Sequence, residues 1–239
     1  MVNEKSVVTA EMIVKETKVG VMRVGKEMLN MKVLLVNGGP HKEGCTYTAL
    51  SEVAKELNKE GIETEIFWIG AKPISGCIAC LKCFEKGQCV FNDVVNEFAE
   101  KAKEADGFIF GTPVHYAAAT GAMTSFMDRL FYSTFSNPDI FRLKPAATVV
   151  SARRAGTTAT FEQLNKYYTM TQMPVISSRY WNMVHGATPD DVRKDEEGMQ
   201  IMRILGKNMA YYLKCIKVAK ENGIEPSATE EITFTNFIR

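Results

Sequence analysis

KVLLVNGGPHKEGCTYTAL, Lys32 to Leu50, decides the fold. Val33 to Val36 form an unbroken apolar run, as in a strand covered on both faces, and glycines at 38, 39 and 44 then lead into a helical pattern near 45–60. A strand, a glycine-rich turn and a helix start are the elements that bring backbone N–H groups and a helix dipole to bear on a phosphate. The hydroxyls of Thr46 and Thr48 can add hydrogen bonds. No Gly-Lys-Ser/Thr closes the loop and no GxGxxG occurs in it, so it is neither a Walker loop nor a dinucleotide fingerprint. A plain glycine-rich turn remains the alternative reading of this segment alone.

Outward from this unit, short β-branched runs alternate with helical patterns, the signature of a parallel sheet between two helical layers. The strands fall at Lys32–Asn37, Glu63–Ile69, Gly107–Gly111, Ala146–Ser151 and Pro174–Ser177. Helices fall near 45–60, 93–104, 119–134 and 158–171, with a last long one over 189–222. Met123, Phe126, Met127, Leu130 and Phe131 recur at i, i+3, i+4, i+7 and i+8, a stripe that reads as core packing. Tyr180 and Trp181 read mainly as buried aromatics, with a cap over a crevice as the second reading. Residues 1–30 form an extension outside the alternation, 31–222 one domain, and 223–239 a tail in which Ile232, Phe234 and Phe237 could dock on a neighbour.

The chain of 239 residues is long enough for a sizeable core, and 29 lysines and arginines balance 28 acidic residues, so no field draws it to nucleic acid or an anionic membrane. No apolar run reaches the length of a span, and charges interrupt residues 1–30, so no signal peptide and a cytoplasmic location are expected.

In an open parallel sheet a ligand sits beyond the carboxyl ends of the strands, where the loops after strands one, three and four should meet. The third-strand loop, GTPVHYAAATGAMTSFMDR from Gly111, carries a stiffening Pro113 and the flat polar surfaces of His115 and Tyr116. The fourth, SARRAGTTAT from Ser151, carries the fixed charges of Arg153 and Arg154 and a close backbone approach at Gly156. A phosphate cradle, an aromatic turn and a cationic turn suit a phosphorylated, planar, electron-rich ligand.

GCIACLKCFEKGQCVFND, from Gly76, places four of the six cysteines (Cys77, Cys80, Cys83, Cys89) in one loop, 76–90, where a reducing compartment favours metal or redox chemistry over disulfides. The first three follow ferredoxin-like spacing, the fourth stands farther off and no proline follows. Tetrahedral zinc usually pairs two separated CxxC knuckles, and free thiols with redox activity are the other alternative.

N-G-G-P-x-x-x-G-x-T from Asn37, G-T-P-V-H-Y from Gly111 and M-D-R from Met127 together resemble the flavodoxin-like NAD(P)H-dependent FMN reductases over about residues 31–215. With the four-cysteine loop the chain is similar to their iron-sulfur flavoprotein branch. The resemblance implies an α/β flavodoxin-like three-layer sandwich with a five-stranded parallel sheet in the order 2-1-3-4-5. It implies FMN, with Pro40, His41, Cys45, Thr46 and Tyr47 around the phosphate, Pro113, Val114, His115 and Tyr116 along the ribityl chain and ring, and Ser151, Arg153, Arg154 and Gly156 at the pyrimidine edge. His41 and Cys45 depart from the arginine or lysine and the asparagine common in such loops.

The resemblance further implies a 4Fe–4S cluster on Cys77, Cys80, Cys83 and Cys89 next to the flavin, and a homodimer or homotetramer with flavin sites at subunit interfaces. The expected activity is an FMN-dependent oxidoreductase passing electrons from NAD(P)H to a small acceptor such as a quinone, nitro or azo compound or free flavin. No side chain is expected to act as a nucleophile. An electron carrier reduced by ferredoxin and a non-catalytic flavin- or metal-binding regulatory protein are the alternatives.

Overall fold

The computed structural model describes residues 31–235; the sequence readings for 1–30 and for Phe237 lie outside the described residues. The chain runs β1 (Lys32–Asn37), α1 (Cys45–Lys59), β2 (Glu63–Trp68), α2 (Cys83–Lys86), α3 (Val94–Ala102), β3 (Gly107–His115), β4 (Ala118–Ala119), α4 (Gly121–Ser133), β5 (Ala146–Ala152), α5 (Thr157–Met170), β6 (Met183–His185), α6 (Pro189–Lys194) and α7 (Glu196–Glu221). The sheet order is β2-β1-β3-β5-β6, all parallel, with β4 antiparallel on β3. This is the expected order, enlarged by one short strand.

The apolar run of β1 explains the layering. Leu34 and Val36 point into one core, with Phe98, Phe108, Phe110 and Phe126 from α3, β3 and α4. Val33 and Leu35 point into the other, with Leu50, Val53 and Leu57 of α1 and Leu205 and Met209 of α7. A period of two sends alternate residues to opposite helical layers. Each fully buried Val or Leu contributes about 1.5–3 kcal/mol, and Val33 to Val36 are all fully buried.

Three expectations are corrected. The last strand is not Pro174–Ser177: that stretch makes only a single bridge, Val175 to Ala146, and the ladder resumes at Met183–His185 beside Val150–Ala152. Pro174 supplies no N–H, and the chain leaves the sheet until the Asn182 carbonyl accepts from the Val150 amide. The final helix is not continuous either. At Asp195 (φ −75°, ψ 81°) the backbone leaves the helix, while its carboxylate caps α7 at the Gly198 amide (2.9 Å) and ties down the His185 amide (2.6 Å). Tyr180 and Trp181 stand half exposed as an edge-to-face pair rather than buried. Beyond α7, residues 224–235 form no strand, and Ile232 and Phe234 are exposed.

Glu56 on α1 is buried, and its hydrogen bond with Lys59 Nζ (2.6 Å) holds the carboxyl below its ordinary range although burial opposes this. A carboxyl depressed in the fold stabilises it above the unfolded value, about pH 4.3, and that contribution is lost as pH falls through the folded value. Urea midpoints measured from pH 6 down to pH 2.5 are therefore expected to fall more steeply in the wild type than in Glu56→Gln. Parallel acid limbs would refute the linkage.

Candidate functional site

The rim above β1, β3 and β5 is built from the first loop outward. Asn37, fully buried at the end of β1, folds the loop back: its Oδ1 accepts from the Gly39 amide (3.0 Å) and its Nδ2 donates to the carbonyls of Lys42 (3.0 Å) and His41 (3.3 Å). The Trp68 indole at the end of β2 donates to the Gly39 carbonyl (2.9 Å). Gly38 donates to the Gly111 carbonyl (2.8 Å), and a Cβ there would lie 2.9 Å from that same oxygen.

The first loop is joined to the others. Thr46 Oγ1 and Ser151 Oγ, both buried, lie 2.8 Å apart, linking α1 to β5. Thr120, which caps α4 by accepting from the Met123 amide, donates its hydroxyl to the Gly38 carbonyl (3.2 Å). Gly156, at φ +94°, sits where a Cβ would be 2.7 Å from Ala117 Cα and 2.8 Å from Val114 Cγ1. The loops after β1, β3 and β5 thus close on one rim. The β3–β4 hairpin turns through Tyr116 (φ 50°) and Ala117 (φ 60°), two positive-φ positions normally given to Asn or Gly. Tyr116 pays this strain with its side chain entirely exposed.

Of the residues expected at this rim, Thr46 and Ser151 touch each other across loops, Gly156 abuts Val114 and Ala117, and Pro113 and Val114 line the half-buried end of β3. Pro40, His41, His115, Arg153 and Arg154 are exposed on the flanks, and among the described residues neither arginine forms an ion pair. Tyr47 lines a groove along α1 with Lys42, Glu43 and Ser51. Cys45 approaches the Gly186 carbonyl (3.8 Å); burial pushes its thiol up, with the Asp191 charge adding, so at neutral pH it is no anion to compete with a phosphate.

The donor set fits an FMN phosphate. Helix α1 has Gly44 at its N-cap, no side-chain cap and no acidic residue in its first turn. The amides of Cys45, Thr46 and Tyr47 are left without a side-chain acceptor, beside glycines whose missing Cβ atoms keep the loop close.

All four loop cysteines line a second recess, with Ile78, Leu81, Phe91, Arg129 and Tyr132. Cys83 is buried at the start of α2, its thiol donating to the Tyr132 carbonyl (3.9 Å); burial raises it, and the neighbouring Cys80, Cys89 and Cys77 add to this. Cys89 is half-buried, its peptide held at both ends by Asn96 (3.1 and 2.9 Å). Cys77 and Cys80 are exposed, and Cys80 lies between Ala79 (φ 51°) and Leu81 (φ 61°), both strained. Among the described residues no three ligand atoms stand at metal-binding distance, so the thiols share a recess without converging. Four cysteines around one apolar recess, with no carboxylate or histidine among its lining, fit an iron-sulfur cluster in donor chemistry.

The rim lies at the start of α4 and the recess along its last turns. Thr120 at the top of α4 touches the rim, and Tyr132, twelve residues on, touches Cys83. At about 1.5 Å per residue they are roughly 18 Å apart along the helix.

A parallel sheet in this order, with its ligand rim at the strand ends, defines a flavodoxin-like protein. A flavodoxin from the domain Archaea superposes with a TM-score of 0.51 at 16% identity, over 77% of this chain and 99% of that one. RosB, solved with an 8-demethyl-8-formylriboflavin-5'-phosphate intermediate bound, superposes with a TM-score of 0.60 at 16% identity over 87% and 94%. The model of the NADPH-dependent FMN reductases matches residues 31–188, and the chain belongs to that family, in its iron-sulfur flavoprotein branch. An iron-sulfur flavoprotein of Methanocaldococcus jannaschii is 32% identical over 192 residues, 78% of this chain and all of that protein.

The residues that fasten the site, Asn37, Trp68, Asp93, Asn96, Thr120 and Arg129, were not assigned to it from sequence. For Arg129 a signal existed: it lies three residues after Phe126, inside the buried stripe of α4, and a charge there demands a partner. No helix among the described residues is long and apolar enough to cross a membrane.

Proposed function

We propose that the chain is an FMN-dependent oxidoreductase that takes electrons from NAD(P)H and delivers them to a small acceptor, a quinone, nitro or azo compound or free flavin, with a 4Fe–4S cluster held by Cys77, Cys80, Cys83 and Cys89. One observation carries this reading: the loops after β1, β3 and β5 are fastened into one rim by Thr46–Ser151, Thr120–Gly38 and Gly156–Ala117 in a chain of the FMN reductase family. The first-turn amides of α1 and the Thr46 hydroxyl would hold the phosphate, and the exposed Arg153 and Arg154 would offset negative charge at the pyrimidine edge. Bound FMN would supply hydride acceptance and one-electron release, which no side chain here provides.

The separation of rim and recess within one chain supports a homodimer or homotetramer as the working unit, in which a rim and a recess from different copies approach. The exposed Ile78, Leu81, Phe84 and Tyr132 around the recess offer apolar surface for it. The same exposure of Cys77 and Cys80 favours, as a second reading, a carrier reduced through its cluster by a ferredoxin-like donor.

Anaerobic purification with flavin, iron and sulfide analysis, followed by mixing with NADH, NADPH or reduced ferredoxin, tests both. Rapid flavin bleaching by a nicotinamide is expected. Reduction by ferredoxin alone would transfer the case to the carrier, and a colourless protein that does not take up FMN would end both readings.

A further inference from the structure

Arg129 is among the most completely buried large side chains of the protein, and its guanidinium is committed to one segment. Nε donates to Cys89 Sγ (3.2 Å). Both terminal nitrogens donate to the Asp93 carboxylate (2.7 and 2.9 Å), one reaching the Ser75 carbonyl (3.4 Å) and the other the Phe91 carbonyl (3.2 Å). The plane lies over the Phe91 ring at 4.8 Å from its centroid. Ser75 precedes the first loop cysteine and Phe91 and Asp93 follow the last, so one side chain of α4 closes both ends of the cysteine loop. Asp93 is fixed in turn, since it also caps α3 at the Val95 amide (3.1 Å).

We infer that Arg129 is the positioning residue of the cysteine recess: it closes the loop, fixes the Cys89 sulfur against α4, and places a permanent positive charge and an N–H donor on that ligand. The inference rests on the cluster reading for its electronic part and on the loop geometry alone for its structural part. An arginine guanidinium keeps its charge at any pH at which the protein is folded, and here it is paired with the Asp93 carboxylate. A cation and a hydrogen bond at a ligand sulfur favour the more negative, reduced state of a cluster and raise its potential. Lysine cannot replace the planar fork, because one ammonium cannot meet Asp93, Phe91 and Cys89 from a single direction.

The experiment compares Arg129→Gln, Arg129→Lys and wild type, purified anaerobically as full chains. Arg129→Gln is expected to retain FMN, to hold iron about 10–100-fold more weakly in a chelator competition, and to show a lower midpoint potential for whatever cluster remains. Arg129→Lys should keep more iron than Arg129→Gln, yet still show a lowered potential. Iron affinity and potential equal to wild type in both variants would overturn the inference. Limited proteolysis of the iron-free proteins reads the structural part independently: cutting within 76–90 should be about tenfold faster in Arg129→Gln, with other sites unchanged, and equal rates would overturn it. An iron-free wild type would sink the cluster reading, leaving Arg129 to be decided by the cutting rate alone.

Discussion

Cys83→Ser is expected to leave less than about a tenth of the wild-type iron while FMN content stays unchanged. Cys83 is the most buried of the four loop thiols, and the other three flank it, so it stands nearest the centre on which ligands would converge. Serine is shorter at the donor atom and offers a hard oxygen where soft thiolate is wanted. The FMN rim is spared because it is fastened by α1, β5 and the top of α4, roughly 18 Å along that helix from Tyr132, where the Cys83 thiol ends. Cys215→Ser, on the exposed face of α7, serves as the control with full iron. Iron, sulfide and flavin assayed on one anaerobic preparation check the result. Joint loss of iron and FMN would mean that the loop is a structural support first, and unchanged iron would mean that these cysteines are not its ligands.

The parts of this fold that were legible in sequence are those where a single local cause decides the outcome. Val33 to Val36 admit no exposed face, and β1 falls at Lys32–Asn37 as read. The α1 boundary follows from glycine at 44 and apolar spacing after it. β6 was not legible, because a strand of three residues shows no period, while Pro174–Ser177 carried the β-branched residues but pairs only at Ala146, through the Pro174 carbonyl and the Ile176 amide. The break at Asp195 left a trace in Thr188-Pro189-Asp190-Asp191 and in Asp195 three residues before Gly198, two N-terminal signatures inside one supposed helix. The rim loops were legible as glycine and hydroxyl chemistry, but their fasteners were not. Thr120 and Arg129 act on residues more than thirty positions away, and no sequence spacing encodes such contacts.

Gly156→Ala should weaken FMN binding by roughly 10–100-fold. The position holds φ +94°, and an alanine there would carry backbone strain of about 1–3 kcal/mol. Its Cβ would also lie 2.7 Å from Ala117 Cα, a backbone atom in a two-residue turn already held at positive φ. Neither partner can swing aside as a long side chain could, so the arginine loop and the β3–β4 hairpin must separate. Those are two of the three walls of the rim, and at about 1.4 kcal/mol per tenfold the strain range converts to the stated loss when it is relieved only by opening the site. The cysteine recess lies along α4 beyond the displaced loops, so iron content should not change. Gly76→Ala, where a Cβ meets nothing within 4 Å, is expected to bind FMN as the wild type does. Titration of the apoprotein with FMN, followed by quenching of flavin fluorescence, reads the effect directly. Wild-type affinity in Gly156→Ala would show that the contact between these loops does not shape the site, and the phosphate cradle of α1 would then have to carry recognition alone.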